Sequence, residues 1–390
     1  MSSKTTAIIA LGIVQILAWG SSFYVPAVFA PAMAAELGWP LGVLVGGLTF
    51  GLLIAGLISP RVGRFVQDHG GRPVLTVSSL TFAAGLGAIA VATVLPVYFI
   101  GWTLIGVGMG TGLYDAVFAA LGRRYGADAR GAIASLTLIG GFASTVCWPF
   151  SALLIDAVGW RSAAAIYAVL HLAVGLPLQL WAFRGSDPPL PARADPQHTA
   201  PLRGARDRLM LVLIAGSLTI VNAIGALLVV NLLIVLQALG AGAATAIWLG
   251  TIFGPSQVVV RLLENLFGNR YHPAWTMVGS GILIVAGLAI LLAGWPGFAL
   301  AIFLFGGGYG VSWIARGTLP LTIFGPERFP RVMGLIAFPS LIAQALAPLV
   351  GASLLTVIGV HTTLVAILIA ATINLLIVVA IFMLCRRDET

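Results

Sequence analysis

Residues 297–324 have the sequence GFALAIFLFGGGYGVSWIARGTLPLTIF, in which Arg316 is the single charged residue. A helix that crosses the hydrocarbon core of a bilayer needs about 20 predominantly apolar residues, and this stretch exceeds that length. The chain as a whole is 59% hydrophobic and 8% charged, whereas an average soluble domain carries about 25% charged residues. We therefore predict that the natural solvent of this chain is lipid.

Twelve stretches of this kind occur along the 390 residues. The predicted transmembrane helices cover residues 6–31, 41–60, 74–94, 96–121, 131–155, 162–183, 209–236, 245–268, 275–294, 297–324, 333–357 and 360–384. Prolines such as Pro40, Pro73 and Pro273 fall in the short connections, where a missing N–H costs little. Barrel strands would alternate apolar and polar residues, and the first run is too long for the apolar part of a signal peptide. The predicted fold class is an all-α integral membrane protein with twelve transmembrane helices.

The distribution of basic residues predicts which side of the membrane each loop faces. Of the 20 lysines and arginines, 17 lie in the two termini and in alternate loops, whereas the opposite loops contain only Arg161. By the positive-inside tendency, both termini are cytoplasmic. We expect a multi-pass protein of the cell (inner) membrane. The net charge of +8 follows from this topology and does not indicate a nucleic-acid partner.

The long loop at residues 184–208, RGSDPPLPARADPQHTAPLRGARDR, divides the predicted helices into six and six. Its composition is typical of a flexible tether. Internal similarity supports the division, because GVGMG at 106–110 has a counterpart in GGGYG at 306–310, and Gly159 matches Gly359 at the same offset. Two related halves are typical of secondary transporters. We predict two pseudo-symmetric six-helix bundles at residues 1–183 and 209–390, joined by a cytoplasmic linker at 184–208.

The sequence lacks the short motifs that indicate an enzyme or an ATP-driven pump. A phosphate-binding P-loop requires GK[ST], and the chain has a single lysine, Lys4. The motifs HExxH, CxxC and GxSxG are also missing. The glycine strings in the predicted helices indicate close helix packing. We predict no enzymatic activity, no cofactor and no metal site, and an energy input that comes from a gradient.

The loop between the second and third predicted helices carries GRFVQDHGGRP at residues 63–73. With the six-plus-six layout and the long middle loop, this stretch resembles the major facilitator superfamily, and the resemblance extends over nearly the whole chain. The family signature in this loop is G-x-x-x-D-R-x-G-R-[RK]. The resemblance implies a carrier that works by alternating access, with this loop stabilising the outward-facing state.

The match to that signature is partial. Aligned without gaps, Gly63, Gly70 and Arg72 agree with it, whereas Gln67 and Asp68 stand where the family has aspartate and arginine. A slip of one residue aligns Asp68, Gly71 and Arg72 instead and loses Gly63. The resemblance implies that Asp68 supplies the negative charge of the loop, toward Arg72 or Arg130.

Two departures concern the substrate class. Trp102 occupies the position at which proton-coupled drug antiporters of the family usually have an arginine, and GGFASTVCWP at residues 140–149 only loosely resembles their helix 5 signature. WGSSFYVPAVFAPAMAAELGWP at residues 19–40 is similar to the helix 1 region of monocarboxylate and oxalate/formate-type porters. The resemblance therefore favours small organic anions over drugs.

Four ionisable residues fall within predicted spans, namely Asp115, Arg261, Glu264 and Arg316. Such groups are costly in a bilayer unless paired or wetted, so they are functional candidates. Our hypothesis is that Asp115 and Arg316 pair at the cytoplasmic gate in the outward-facing state and separate when the carrier opens inward. Asp115 or Glu264 is the candidate proton carrier, since a carboxylate that loses an arginine partner binds a proton more readily. Alternatively, Arg261 and Glu264 form a local pair and Arg316 snorkels to the headgroups.

The substrate is expected near the midplane of the membrane. The predicted substrate-binding residues are Trp19, Ser22, Tyr24, Asn222, Gln257, Arg261, Tyr309, Trp313 and Gln344, and the predicted coupling and gating residues are Asp115, Glu264, Arg316, Asp68 and Arg72. The predicted function is gradient-driven transport of a small carboxylate-bearing anion by a monomer, coupled to a proton or another ion. The alternative function is efflux of amphiphilic drugs or toxic compounds.

Overall fold

The computed structural model describes residues 3–185, 204–294 and 296–386, and within these ranges every regular element is a helix. The first half contains α1 (Ser3–Ser22), α2 (Val25–Leu37), α3 (Leu41–His69), α4 (Gly71–Ala90), α5 (Leu95–Gly112), α6 (Tyr114–Tyr125), α7 (Ala129–Gly140), α8 (Ala143–Leu170) and α9 (Leu176–Ala182). The second half contains α10 (Ala205–Ala238), α11 (Ala243–Gly250), α12 (Phe253–Phe267), α13 (Pro273–Ala293), α14 (Phe298–Val357) and α15 (Val360–Arg386). The predicted linker at 184–208 lies mostly outside the described residues.

Within the described part of the chain, nine helical stretches are long and apolar enough to cross a membrane. Two of them are far too long for one crossing, because α14 alone has 60 residues and a straight helix of that length would extend about 90 Å. Glycines with positive φ interrupt both stretches: Gly126 (φ 58°) and Gly159 (φ 77°) in Leu95–Ala182, and Gly325 (φ 72°) in α14. A residue without Cβ adopts this conformation readily, so the chain changes direction there.

Four spans that we predicted as single helices are each split in two, and one of them, the span at 131–155, breaks between α7 and α8. The span at 6–31 breaks between α1 and α2, and the span at 245–268 breaks between α11 and α12. In both cases a proline in the first turn of the second helix, Pro26 or Pro255, has no N–H to continue the preceding helix. The span at 96–121 breaks at Leu113, whose backbone is extended (φ −78°, ψ −177°).

The predicted connection at residues 325–332 is wrong in its length. Gly325 is the non-helical residue inside α14, and helix resumes at Pro326. Proline fits the first position of a helix, where its missing N–H has no partner to lose. The charged residues Arg328 and Arg331 therefore lie on helix and not in a loop.

The described residues divide into two compact units. The first unit consists of residues 3–185 together with Phe324–Phe338, and the second unit consists of the remaining residues of the second half. Each unit has its own buried core, with Phe82, Phe118 and Tyr167 in the first and Ile214, Leu236 and Phe298 in the second.

The same contacts recur in both units about 200 positions apart. Ser78 donates from Oγ to the carbonyl oxygen of Gly108 at 3.1 Å, and Ser280 donates to that of Gly308 at 2.8 Å. Gly159 and Gly359, which we matched by sequence, have φ values of 77° and 80°. The similarity between the halves therefore extends from single glycines to the hydrogen bond that joins two neighbouring helices.

Candidate functional site

Arg316 lies on α14 in the second unit and is 1% exposed. Its Nη1 donates to Oγ of Ser340 at 2.8 Å, and its guanidinium carbon lies 5.3 Å from the centre of the Trp313 ring. In a straight helix these 24 positions would separate Arg316 from Ser340 by about 36 Å. The reversal at Gly325 brings them together. The guanidinium is thus held inside the unit, not extended toward the protein surface.

A second donor approaches the same hydroxyl group. Asn222, on α10, donates from Nδ2 to Oγ of Ser340 at 2.5 Å. Asn222 is 3% exposed and Ser340 is fully buried. An amide and a guanidinium from different helical segments therefore converge on one neutral oxygen. Gln344 follows Ser340 by four residues and lies on the same face of α14, and it is 2% exposed.

We call Asn222, Arg316, Ser340 and Gln344 the polar cluster of the second unit. Asn222, Arg316 and Gln344 were predicted from the sequence, and the structure places all three in buried positions. Ser340 was missed. A lone serine in an apolar helix gives no signal, because such hydroxyls usually bond to the backbone of their own helix. Only the geometry shows that two donors end on it.

Arg261 is also buried, at 3% exposed, and lies on α12. It donates from Nε to the carbonyl oxygen of Gly310 at 2.8 Å and from Nη2 to Oε1 of Gln257 at 3.1 Å. The approach of α12 to α14 depends on Gly310, because a Cβ there would lie 2.8 Å from Cα of Gln257. Arg261 and Gln257 thus share one helix face, as their spacing predicts.

Glu264, one turn farther along α12, has neutral partners on both carboxylate oxygens. Thr276 donates from Oγ1 to Oε1 at 2.7 Å, and Tyr271 donates from its hydroxyl to Oε2 at 2.5 Å. These bonds tie the end of α12 to Tyr271 in the following connection and to the first turn of α13. The geometry therefore gives Glu264 a clear structural task at this corner.

Asp115 is half-buried in the first turn of α6, two residues after the extended Leu113. A carboxylate in that position is stabilised by the partial positive charge at the amino end of the helix. The break in the helix thus creates a favourable place for an acidic side chain within an apolar span. The sequence alone gave no indication of this break.

The remaining predicted residues are aromatic or hydroxylic. Trp19 packs against Tyr114 at 5.2 Å between ring centres, and Tyr24 packs against Trp148 at 5.5 Å. Ser22 donates to the carbonyl oxygen of Ala18 at 2.6 Å, so its hydroxyl serves its own helix. In the second unit, the rings of Tyr309 and Trp313 lie 6.3 Å apart.

At the other predicted site, Asp68 and Arg72 are both exposed. Asp68 makes no ion pair with any residue that the structure describes. Both residues lie on helix and not in the predicted loop, because α3 extends to His69 and α4 begins at Gly71. Arg123 donates from Nε to the carbonyl oxygen of Gln67 on α3 at 3.3 Å.

In its second half, α3 packs on the segment Phe324–Phe338 within the first unit. Ser59 donates from Oγ to the carbonyl oxygen of Gly334 at 3.1 Å. A Cβ at Gly63 would lie 2.9 Å from Cα of Gly334. The backbones of α3 and of this segment of α14 are therefore in direct contact, because neither glycine has a side chain that would separate them.

The sequence model described as Major Facilitator Superfamily matches residues 11–230 and 212–390. A comparison with curated proteins found no significant sequence match. The family model covers the chain almost from end to end. It does not confirm the narrower resemblance to monocarboxylate and oxalate/formate-type porters.

Solved structures share the fold at low identity. The human organic anion transporter MFSD10 (TETRAN) has a TM-score of 0.71 and 15% identity, with 97% of this chain and 100% of that chain covered. The Escherichia coli fucose:proton symporter FucP has a TM-score of 0.76 and 13% identity, with 97% and 99% covered. A structure of FucP in the outward conformation has a TM-score of 0.74 and 13% identity, with 97% of this chain and 99% of that chain covered. Identities this low show the fold alone.

Proposed function

Because this chain belongs to the major facilitator superfamily, we propose that it is a gradient-driven secondary transporter of a small organic anion that bears a carboxylate. It is a multi-pass membrane protein with the fold of the family's transporters. The observation that carries the substrate class is the buried guanidinium of Arg316 beside Asn222, with both donors directed at one oxygen. A guanidinium presents five N–H donors in a fork that suits a carboxylate.

A role in binding an anionic substrate would explain why Arg316 is buried. A charged side chain inside the membrane costs several kcal/mol or is compensated by specific partners, and such residues commonly mark substrate or ion pathways. One structural neighbour is an organic anion transporter, but at its low identity the argument depends on Arg316 and not on that neighbour. Trp313, stacked beside the guanidinium, adds an apolar wall for the carbon skeleton of the anion.

The topology that we propose divides the long helical stretches at Gly126, Gly159 and Gly325. The nine stretches then become twelve transmembrane helices. They form two six-helix bundles at residues 1–183 and 209–390, with the linker at 184–208 and both termini in the cytoplasm. We expect a monomer in the cell (inner) membrane that works by alternating access.

A proton gradient is the proposed energy source, and Asp115 is the proposed proton carrier. Glu264 is the weaker candidate, because Tyr271 and Thr276 occupy both of its oxygens. The structural neighbour FucP is a proton symporter, which is compatible with this choice. We retain the hypothesis that Asp115 and Arg316 exchange partners during the transport cycle.

Uptake into proteoliposomes tests the proposal. With an imposed proton gradient, the purified protein is expected to accumulate short carboxylates, and Arg316→Gln is expected to lower kcat/KM by about 30-fold, equivalent to about 2 kcal/mol. Arg316→Lys keeps the charge but loses the fork, so an intermediate rate is expected. Uptake that is unchanged in Arg316→Gln would contradict the substrate class.

The second candidate function is efflux of amphiphilic compounds. Two aromatic pairs, Trp19 with Tyr114 and Tyr24 with Trp148, favour it, since such rings bind lipophilic cations. The same proteoliposomes distinguish the two functions. Export of a lipophilic cation without any carboxylate transport would support efflux.

A further inference from the structure

Gln344 carries a buried acceptor that the protein does not satisfy. Its Oε1 has no hydrogen-bond partner among the described residues, although the side chain is 2% exposed. An unsatisfied polar atom in a buried position is unfavourable, so it requires an explanation. Its place in the polar cluster supplies one, because Gln344 lies one helical turn from Ser340, the residue on which Arg316 and Asn222 converge.

The cluster offers hydrogen-bond donors at Ser340 and a hydrogen-bond acceptor at Gln344. The donors of Arg316 and Asn222 meet on the neutral hydroxyl of Ser340 and also suit a carboxylate oxygen, whereas Oε1 of Gln344 requires a hydrogen-bond donor. The rise from Ser340 to Gln344 is about 6 Å along the helix axis. A ligand that satisfies both positions carries a donor several bonds away from its carboxylate. A neutral hydroxyl suits this position better than an ammonium group, because Arg316 already places a positive charge in the cluster.

Resting on the proposed transport of carboxylates, we infer that the substrate class is a hydroxylated carboxylate, with Gln344 as the residue that selects the hydroxyl group. Arg316 and Asn222 bind the carboxylate, and Ser340 holds these two donors in register between transport events. The hydroxyl of the substrate donates to Oε1 of Gln344. A site that hydrogen-bonds a substrate hydroxyl discriminates against the analogue without it, since the buried acceptor is then left unpaired.

The test uses a matched ligand series. Butyrate, 4-hydroxybutyrate and 4-methoxybutyrate share a carboxylate, but only the second carries a hydrogen-bond donor at its far end. Apparent affinities follow from the concentration dependence of thermal stabilisation of the purified full-length protein. We expect 4-hydroxybutyrate to bind about tenfold more tightly than either analogue. Because this comparison is made on the wild-type protein, it does not depend on the folding of any variant.

Two variants assign the preference to its residue. Gln344→Met keeps the length of the side chain and removes the acceptor, so the tenfold preference is expected to disappear while butyrate still binds. Asn374→Leu is the matched control, because Asn374 on α15 also has a buried unsatisfied amide oxygen but lies on a different helix. It is expected to keep the preference.

The outcomes separate the inference from the proposed function. Equal binding of all three carboxylates, or a preference that persists in Gln344→Met, overturns the role of Gln344 and leaves carboxylate transport standing. Binding of none of the three, with stabilisation by a lipophilic cation instead, overturns the proposed function and the inference with it. A preference that is lost in Gln344→Met and kept in Asn374→Leu supports both.

Discussion

The side chain of Arg261 ends on the backbone of Gly310, with Nε donating to the carbonyl oxygen at 2.8 Å. The glycine is necessary for this bond, because a Cβ at residue 310 would lie 2.8 Å from Cα of Gln257. The contact thus joins a buried charge on α12 to a helix crossing that tolerates no side chain. Arg261 is satisfied by α14 as long as the two helices stay in close contact.

Gly310→Ala is therefore expected to destabilise the protein. The added methyl group forces α12 and α14 apart, and overpacking of this kind costs about 1–3 kcal/mol. Thermal unfolding in detergent measures the effect. Gly279→Ala is the control, since Gly279 lies on α13 with open space around it and alanine favours helix. Equal melting temperatures for the two variants would contradict the close crossing.

Asp115→Asn and Glu264→Gln are expected to have different effects on transport. Asp115→Asn should abolish accumulation against a gradient, because the proposed proton carrier is lost, while exchange of substrate across the membrane continues. Glu264→Gln should keep accumulation and lower thermal stability, since the hydrogen bonds from Tyr271 and Thr276 lose a charged acceptor. Uptake driven by a proton gradient, measured beside counterflow, checks both expectations. Loss of accumulation in Glu264→Gln but not in Asp115→Asn would identify Glu264 as the proton carrier instead.

A double-mutant cycle tests the hypothesis that Asp115 and Arg316 exchange partners. We expect Asp115→Asn and Arg316→Gln to be non-additive in kcat/KM for uptake, with an interaction free energy of about 1 kcal/mol or more. The control cycle combines Asp115→Asn with Arg261→Gln, for which additivity is expected because Arg261 bonds to Gly310 and Gln257. Additivity in both cycles would remove the pair from the mechanism.

Gly334→Ala is expected to slow transport and to lower stability. A Cβ at residue 334 would lie 3.0 Å from Cα of Gly63, and backbone cannot move aside as a side chain would. The loss of stability is expected to be about 1–3 kcal/mol. Initial rates of uptake and thermal unfolding measure the two effects. Gly131→Ala on α7, where nothing lies within contact distance, should change neither.

The general architecture could be predicted from the sequence because the bilayer makes strict demands. Length, hydrophobicity and glycine spacing identified the apolar helical stretches and the repeat, and Gly159 and Gly359 share a backbone conformation as their offset suggests. Helix breaks were harder to predict. Leu113 is extended although its side chain is ordinary for a helix, so the identity of this residue does not predict the break.

The candidate site could be predicted only in part. Arg316, Asn222 and Gln344 were recognisable, because polar side chains are conspicuous in an apolar span. Their convergence could not be recognised from the sequence, because Asn222 and Arg316 meet at Ser340 only after the chain reverses at Gly325. Glu264 shows the opposite case. Its spacing placed it beside Arg261, but Tyr271 and Thr276, which lie beyond the end of its helix, determine its environment.

The contact of Gly63 with Gly334 sets a narrow limit on what each position accepts. A Cβ at Gly63 would press on the carbonyl oxygen of Pro330, and a Cβ at Gly334 would press on that of Ser59. Main-chain atoms cannot rotate away as the end of a side chain does, so the smallest added carbon finds no room. We therefore expect a survey of all substitutions to accept glycine alone at these two positions.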